Sequence, residues 1–191
     1  MNKEQKKFNL KIPQNISIVF SKKKNILSVI GPITTKSLKL KLKITIDKTK
    51  NILVVSPLPF YPISNAEKKR INALRASIIA QIKHLFIETS LTIFQKLKVV
   101  GVGYRIESLD DVEKNLLTLK LGYSHHYYVK VPNNLEVNCF TKTKLSIFGN
   151  SYYEISELAA KIREKKLPEP YKGKGILYEN EIVKIKEGKK I

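Results

Sequence analysis

The sequence predicts an α+β fold of two duplicated small domains, each an antiparallel or mixed sheet with one packed helix. Three observations carry this. Stretches of alternating apolar and polar residues outnumber stretches of helical spacing, and each helical stretch follows a run of strands. A pattern recurs: Ile12-Pro13-Gln14-Asn15-Ile16-Ser17-Ile18 aligns with Val131-Pro132-Asn133-Asn134-Leu135-Glu136-Val137. After a one-residue slip, Leu27-Ser28-Val29-Ile30-Gly31 aligns with Leu145-Ser146-Ile147-Phe148-Gly149. The length of 191 residues, 42% hydrophobic and 27% charged, suits one ordinary domain or two small ones.

Residues 1–11 are polar and basic and are expected to form a loose arm. The first domain is assigned to 12–94 and the second to 95–191. Each copy of the repeat opens on an X-Pro step, where proline's missing donor costs a strand little. A strand, a Lys-rich turn, a second strand and a closing glycine follow. Leu38, Leu40, Leu42, Ile44 and Ile46 alternate with Lys39, Lys41, Lys43 and Thr45, so one strand face is buried and the other carries ammonium groups. A turn over Asp47–Asn51 returns the chain, and Ile52–Ser56 pairs back. Ser64-Asn65-Ala66-Glu67 fits a capping box, and Ile71, Leu74, Ile78, Ile82 and Leu85 then form one apolar helical stripe.

In the second half, Leu97–Tyr104, Leu117–Tyr123, Tyr127–Val131 and Leu135–Phe140 read as strands, with an acidic turn at Asp110–Asn115. Ser151-Tyr152-Tyr153-Glu154 is a second capping box. Its helix carries Ile155, Leu158, Ala159 and Ile162 on one face, and Pro168 limits its length.

Charge narrows the function. Thirty-six Lys and Arg stand against 16 Asp and Glu, a net +20, and such an excess repels itself until a polyanion neutralises it. Arginine occurs only at 70, 75, 105 and 163, and the other 32 basic residues are lysine. Lysine acts on phosphates as a point charge, whereas the guanidinium fork reads guanine edges, so backbone contact is favoured over sequence-specific duplex reading. Residues 1–94 hold 18 basic and 4 acidic side chains, a net +14; residues 95–191 hold 18 and 12, a net +6. Charge alone makes the first half the stronger polyanion binder. Its candidate surface is the Lys39, Lys41, Lys43 face, for RNA or acidic neighbours.

Other classes find no support. The longest uncharged run, Asn51–Ala66, is interrupted by Pro57, Pro59 and Pro62, which argues against membrane insertion. A lone cysteine, Cys139, excludes an internal disulfide. Gly101-Val102-Gly103-Tyr104 lacks the third glycine of a dinucleotide fingerprint, since Ile106 stands there, and a bulge or close backbone approach accounts better for it. Lys172-Gly173-Lys174-Gly175 lacks the Ser or Thr of a P-loop, although its glycine amides and two ammonium groups suit nucleic-acid phosphates. His84, His125 and His126, with the scattered carboxylates, assemble no acid, base and nucleophile and no metal site. Neither catalysis, a cofactor nor a small-molecule substrate is expected. Among the tyrosines, Tyr171, between Pro170 and Lys172, is the best candidate for stacking on a base.

Pro168-Glu169-Pro170-Tyr171-Lys172-Gly173-Lys174-Gly175-Ile176 resembles the C-terminal signature of the large ribosomal subunit protein six family. Val99-Val100-Gly101-Val102-Gly103-Tyr104-Arg105, Leu121-Gly122-Tyr123-Ser124-His125 and Leu158-Ala159-Ala160-Lys161-Ile162-Arg163 are similar to that family's other segments, in the same order. The likeness covers nearly the whole chain beyond residue 11. It implies two duplicated α+β domains and a structural, non-enzymatic role without cofactor. It also implies contact with large-subunit rRNA near the sarcin–ricin loop and stalk base, where translational GTPases dock beside neighbouring large-subunit proteins. The implied rRNA-binding residues are Arg163, Lys165, Lys166, Tyr171, Lys172, Gly173, Lys174 and Gly175.

Several segments depart from the family. Asn2–Phe8 replaces its usual start, Ile33-Thr34-Thr35 replaces a glycine-containing turn, His126 stands where proline is common, and the Glu107–Asn115 loop is long. Together with the absence of an Arg-rich import segment, these departures point to an organelle-encoded, mitochondrial version, ahead of plastid or bacterial ones. The alternative reading is an RNA-binding assembly or translation factor outside the mature ribosome.

Overall fold

The computed structural model describes residues 8–47, 49–62, 64–65, 70–108 and 116–188. The chain divides into two compact units, Met1–Leu91 and Thr92–Ile191.

The first unit contains β1 (Asn9–Lys11), β2 (Ser17–Ser21), β3 (Ile26–Ile30), β4 (Thr35–Lys39), β5 (Leu42–Asp47), β6 (Ile52–Pro59) and α1 (Ile71–Ser90). Its strands form two antiparallel sheets, ordered β1-β6-β5 and β2-β3-β4. Residues 38–46 are therefore not one strand. The chain leaves one sheet for the other at Leu40–Lys41, yet the alternation continues through the corner. Leu40, Leu42 and Ile44 are buried, while Lys39, Lys41 and Lys43 are exposed.

Residues 8–11 correct the expectation of a loose arm. Phe8 and Leu10 are buried, and Leu10 lies opposite Leu53 in the β1–β6 pairing. Two apolar side chains one residue apart place this short segment on a sheet edge despite its basic neighbours. Arg75 closes over it, 3.6 Å above the Phe8 ring, and its guanidinium donates to the Val55 carbonyl at 3.0 and 2.9 Å. Burial lowers its pKa.

Helix α1 buries Ile78 and Ile82 of the expected stripe, with Leu74 and Leu85 packed beside them, and adds Ile79 and Phe86, which the stripe does not include. Ala66 and Glu67 of the expected capping box lie outside the described residues, and Arg70 stands at the cap of the described helix. Its far end carries a partly buried ion pair, Lys36 Nζ to Glu88 Oε2 at 2.6 Å.

The second unit contains β7 (Ile93–Val100), β8 (Arg105–Ser108), β9 (Leu116–Lys120), β10 (Tyr127–Lys130), β11 (Leu135–Thr141), β12 (Lys144–Gly149), α2 (Tyr152–Glu164) and β13 (Gly175–Tyr178). Its sheets are ordered β8-β9-β10 and β11-β12-β7-β13, again antiparallel. The expected strand 97–104 is broken by a turn at Gly101–Gly103, where Tyr104 N–H donates to the Gly101 carbonyl at 3.3 Å. The acidic turn expected at Asp110–Asn115 lies outside the described residues. Helix α2 buries Ile155, Leu158, Ala159 and Ile162, all four of its expected stripe. Ser151 stands at its cap but makes no side-chain capping bond, so only the position of that capping box is realised.

The pairing order shows the duplication. Pairs β1–β6, β2–β3, β3–β4 and β5–β6, then α1, are repeated as β7–β12, β8–β9, β9–β10 and β11–β12, then α2. The repeated stretches Ile12–Gly31 and Val131–Gly149 occupy different places in the two series, since β2–β3 is an early hairpin and β11–β12 a late one. They share local chemistry. Ile16 N–H donates to the Pro13 carbonyl at 3.3 Å and Leu135 N–H to that of Pro132 at 3.0 Å. Leu27 and Val29 are buried like Leu145 and Ile147. A proline turn feeding a half-buried hairpin explains the sequence match, and the sheet order carries the duplication.

Candidate nucleic-acid interface

The last turn of α2 and the loop to β13 gather the expected binding residues. Pro168 lacks the donor needed to extend the helix, and the chain turns instead. Lys165 and Lys166 N–H groups donate to the Ile162 and Arg163 carbonyls at 3.2 Å each, and the Lys166 carbonyl accepts from Ile176 N–H at 2.9 Å. The loop between is closed by its own backbone: Glu169 N–H donates to the Lys174 carbonyl and Gly173 N–H to the Glu169 carbonyl, both at 2.9 Å.

The glycines shape this loop. Gly173 sits at φ +67°, where L side chains are strained. A Cβ on Gly175 would lie 2.7 Å from the Leu167 carbonyl oxygen and the Pro168 Cα, so only glycine lets these backbones approach. The Gly173 amide is engaged within the loop, which leaves the side chains that the glycines present as the groups available to an anion. Tyr171 is 56% exposed, Lys172 is exposed and Lys174 half-buried.

The remaining expected residues separate into two roles. Lys165 Nζ lies 5.7 Å over the Tyr127 ring and Lys166 Nζ 4.1 Å over Tyr123. Hydrogen bonding to Tyr123 raises the Lys166 pKa against the opposing effect of burial, so this ammonium stays charged. Arg163 turns elsewhere. Its Nε and a terminal nitrogen donate to the Glu181 carboxylate at 3.1 and 2.6 Å, and the guanidinium lies 5.6 Å from the Tyr178 ring centroid. Its charge is matched within the protein.

Two parts of the surface take their arrangement only from the fold. Tyr123, His125 and Tyr127 form an aromatic cluster, with Tyr123 stacked on His125 at 5.8 Å and Tyr127 edge-on to both. The signal was the density of aromatics in Tyr123–Tyr128, but only the fold sets them beside Lys165 and Lys166. The C-terminal segment also folds back: Lys186 N–H donates to the Pro170 carbonyl at 2.8 Å, bringing exposed Lys184 and Lys186 alongside the loop. The alternation in Val183-Lys184-Ile185-Lys186 was its only trace in the sequence.

Ammonium groups, an exposed phenol and a rigid loop can bind phosphates and stack on a base. Among the described residues no His, Cys, Asp and Glu cluster could hold a metal, and no helix is long and apolar enough to cross a membrane. A family model described as Ribosomal protein L6 matches residues 100–179, a span that includes the whole loop. Large ribosomal subunit protein uL6 of Alkaliphilus metalliredigens is 33% identical over 180 residues, covering 94% of each chain. That of Mycoplasmoides gallisepticum is 35% identical over 180 residues, 93% of this chain and 91% of the relative. The chain belongs to the ribosomal protein L6 family.

Protein uL6c of Porphyra purpurea is 32% identical over 178 residues, covering 93% and 92% of the two chains. Membership of the L6 family gives the protein a structural ribosomal role without catalysis.

Proposed function

We propose that this chain is a structural constituent of the large ribosomal subunit, binding large-subunit rRNA through the loop after α2. The relatives' names supply the subunit. The observation that carries the reading is the closed loop that holds Tyr171 and Lys172 outward, flanked by Lys165, Lys166, Lys184 and Lys186. Lys165, Lys166, Tyr171, Lys172 and Lys174 contact RNA directly. Gly173 and Gly175 set the loop's shape, and Arg163 is a positioning residue acting through Glu181. The site lies near the sarcin–ricin loop and stalk base, among neighbouring large-subunit proteins and close to where translational GTPases dock, as the family resemblance implies. The divergent segments support a mitochondrial ribosome.

The experiment is a salt titration of binding to large-subunit rRNA. Replacing Lys172 and Lys174 with Ala is expected to weaken binding and to lower the slope of log K against log salt by about two units or less. An unchanged slope rejects the loop as the interface. Sedimentation gives the location: stoichiometric presence in mature mitochondrial large subunits supports the reading, and absence favours an assembly or translation factor.

A further inference from the structure

The charge of the first unit has no use in the site just described. Six of its lysines meet at one corner. Lys22, Lys23 and Lys24 form the turn between β2 and β3, Lys39 ends β4, and Lys41 and Lys43 begin the path into β5; all six are exposed. The register brings them together. Lys39 lies opposite Ile26, and the Asn25 carbonyl accepts from Leu40 N–H at 2.8 Å. The turn is thereby fastened to the place where the chain changes sheets.

Asn25 is the fastener. It is 6% exposed, adopts φ +56°, and its Nδ2 donates to the Tyr61 hydroxyl at 3.3 Å. The Tyr61 ring is 60% exposed and is tied to the lysine turn through Asn25. Below them Leu40, Leu42 and Ile44 are buried, so the backbone that carries Lys39, Lys41 and Lys43 is anchored in the core. The Lys41 carbonyl is held in turn by Phe60 N–H at 3.2 Å.

None of the six is ion-paired with a described carboxylate. Glu88 of this unit is already joined to Lys36 at 2.6 Å. Like charges fixed side by side without a counter-charge raise the local potential, and a polyanion that displaces condensed counterions relieves it. We propose that this corner is a second RNA-binding surface, separate from the loop after α2, in which the six ammonium groups contact phosphates and Tyr61 offers a face to an unpaired base. An exposed ring beside ammonium groups suits RNA, which has both bases and phosphates, better than an acidic peptide. The proposal rests on the RNA-binding reading above for the class of partner only.

The test uses the full chain on large-subunit rRNA, with Lys22, Lys23, Lys24, Lys39, Lys41 and Lys43 exchanged for Gln in two triple variants and together, and circular dichroism to confirm folding. Loss of six phosphate contacts is expected to lower the salt slope by about four to five units in the six-lysine variant. Hydroxyl-radical footprinting is expected to lose a protected patch different from the one lost with Lys172 and Lys174. Unchanged slope and footprint, with the parent chain still binding RNA, overturn this surface alone. Crosslinking of Lys41 or Lys43 to an acidic protein in place of RNA overturns it also. Failure of the parent chain to bind RNA overturns both surfaces together. If the six-lysine variant does not fold, the two triple variants give the same readout with about half the change in slope, and Tyr61→Ala is expected to weaken binding with the slope unchanged.

Discussion

The Arg163 guanidinium grips the Glu181 carboxylate with two hydrogen bonds, at 2.6 and 3.1 Å, and the same carboxylate accepts from Tyr178 N–H at 3.1 Å. One pair thus ties the end of α2 to the segment leaving β13, the two sides of the candidate binding loop. A bidentate pair with a third donor is stronger than an ordinary surface pair. Arg163→Ala is expected to destabilise the second unit by about 1–2 kcal/mol and to loosen residues 179–188. Denaturant melts and amide exchange check both effects.

The same pair sets a pH dependence. Hydrogen bonding from Arg163 holds the Glu181 pKa below its ordinary value, with the Tyr178 amide and the charge on Lys98 adding and burial opposing. The folded carboxyl therefore binds its proton less tightly than the unfolded one. The stabilisation is full above the unfolded value of about 4.3 and is lost as the pH falls through the folded pKa. The parent chain should lose more stability than Glu181→Gln between neutral pH and pH 3, measured by Tm against pH.

Gly173 and Gly175 should respond differently to alanine. At Gly173 the penalty is the left-handed backbone, with the nearest atom 3.9 Å from a new Cβ, and a cost of about 1–2 kcal/mol is expected. At Gly175 the Cβ would meet backbone at 2.7 Å, so the loop must open. Gly175→Ala is expected to cost more stability than Gly173→Ala and to weaken RNA binding severalfold, by thermal melts and filter binding.

Tyr123 should govern the charge of Lys166. Because the Tyr123 hydroxyl leads the upward shift of that ammonium, Tyr123→Phe is expected to bring the Lys166 pKa down towards its ordinary value while keeping the ring beneath it. A side-chain NMR titration reads the change directly.

Lys144 and Lys98 stand directly opposite one another on β12 and β7. Like charges in that position repel, and Lys144→Glu is expected to raise stability by about 0.2–1 kcal/mol, with the gain shrinking at high salt.

Much of this was legible along the chain. Period-two alternation marked which faces of β5, β9 and β11 are buried, and the 3.6-residue stripes marked Ile78, Ile82, Ile155 and Ile162, because burial of apolar surface acts on every such residue alike. The loop after α2 could be located as well, since Pro168 ends a helix and glycines admit a tight turn by covalent geometry alone.

The tertiary structure decided what depends on partners distant in sequence. The alternating run 38–46 does not say that the chain changes sheets at Leu40, for its periodicity continues through the corner, and Phe8 and Leu10 gain a place in the core only from β6. That Arg163 pairs with Glu181, 18 residues away, was set by folding alone. Which lysines remain unpaired is likewise a property of neighbours, because a charge is free or matched only according to what the fold brings within a few ångströms of it.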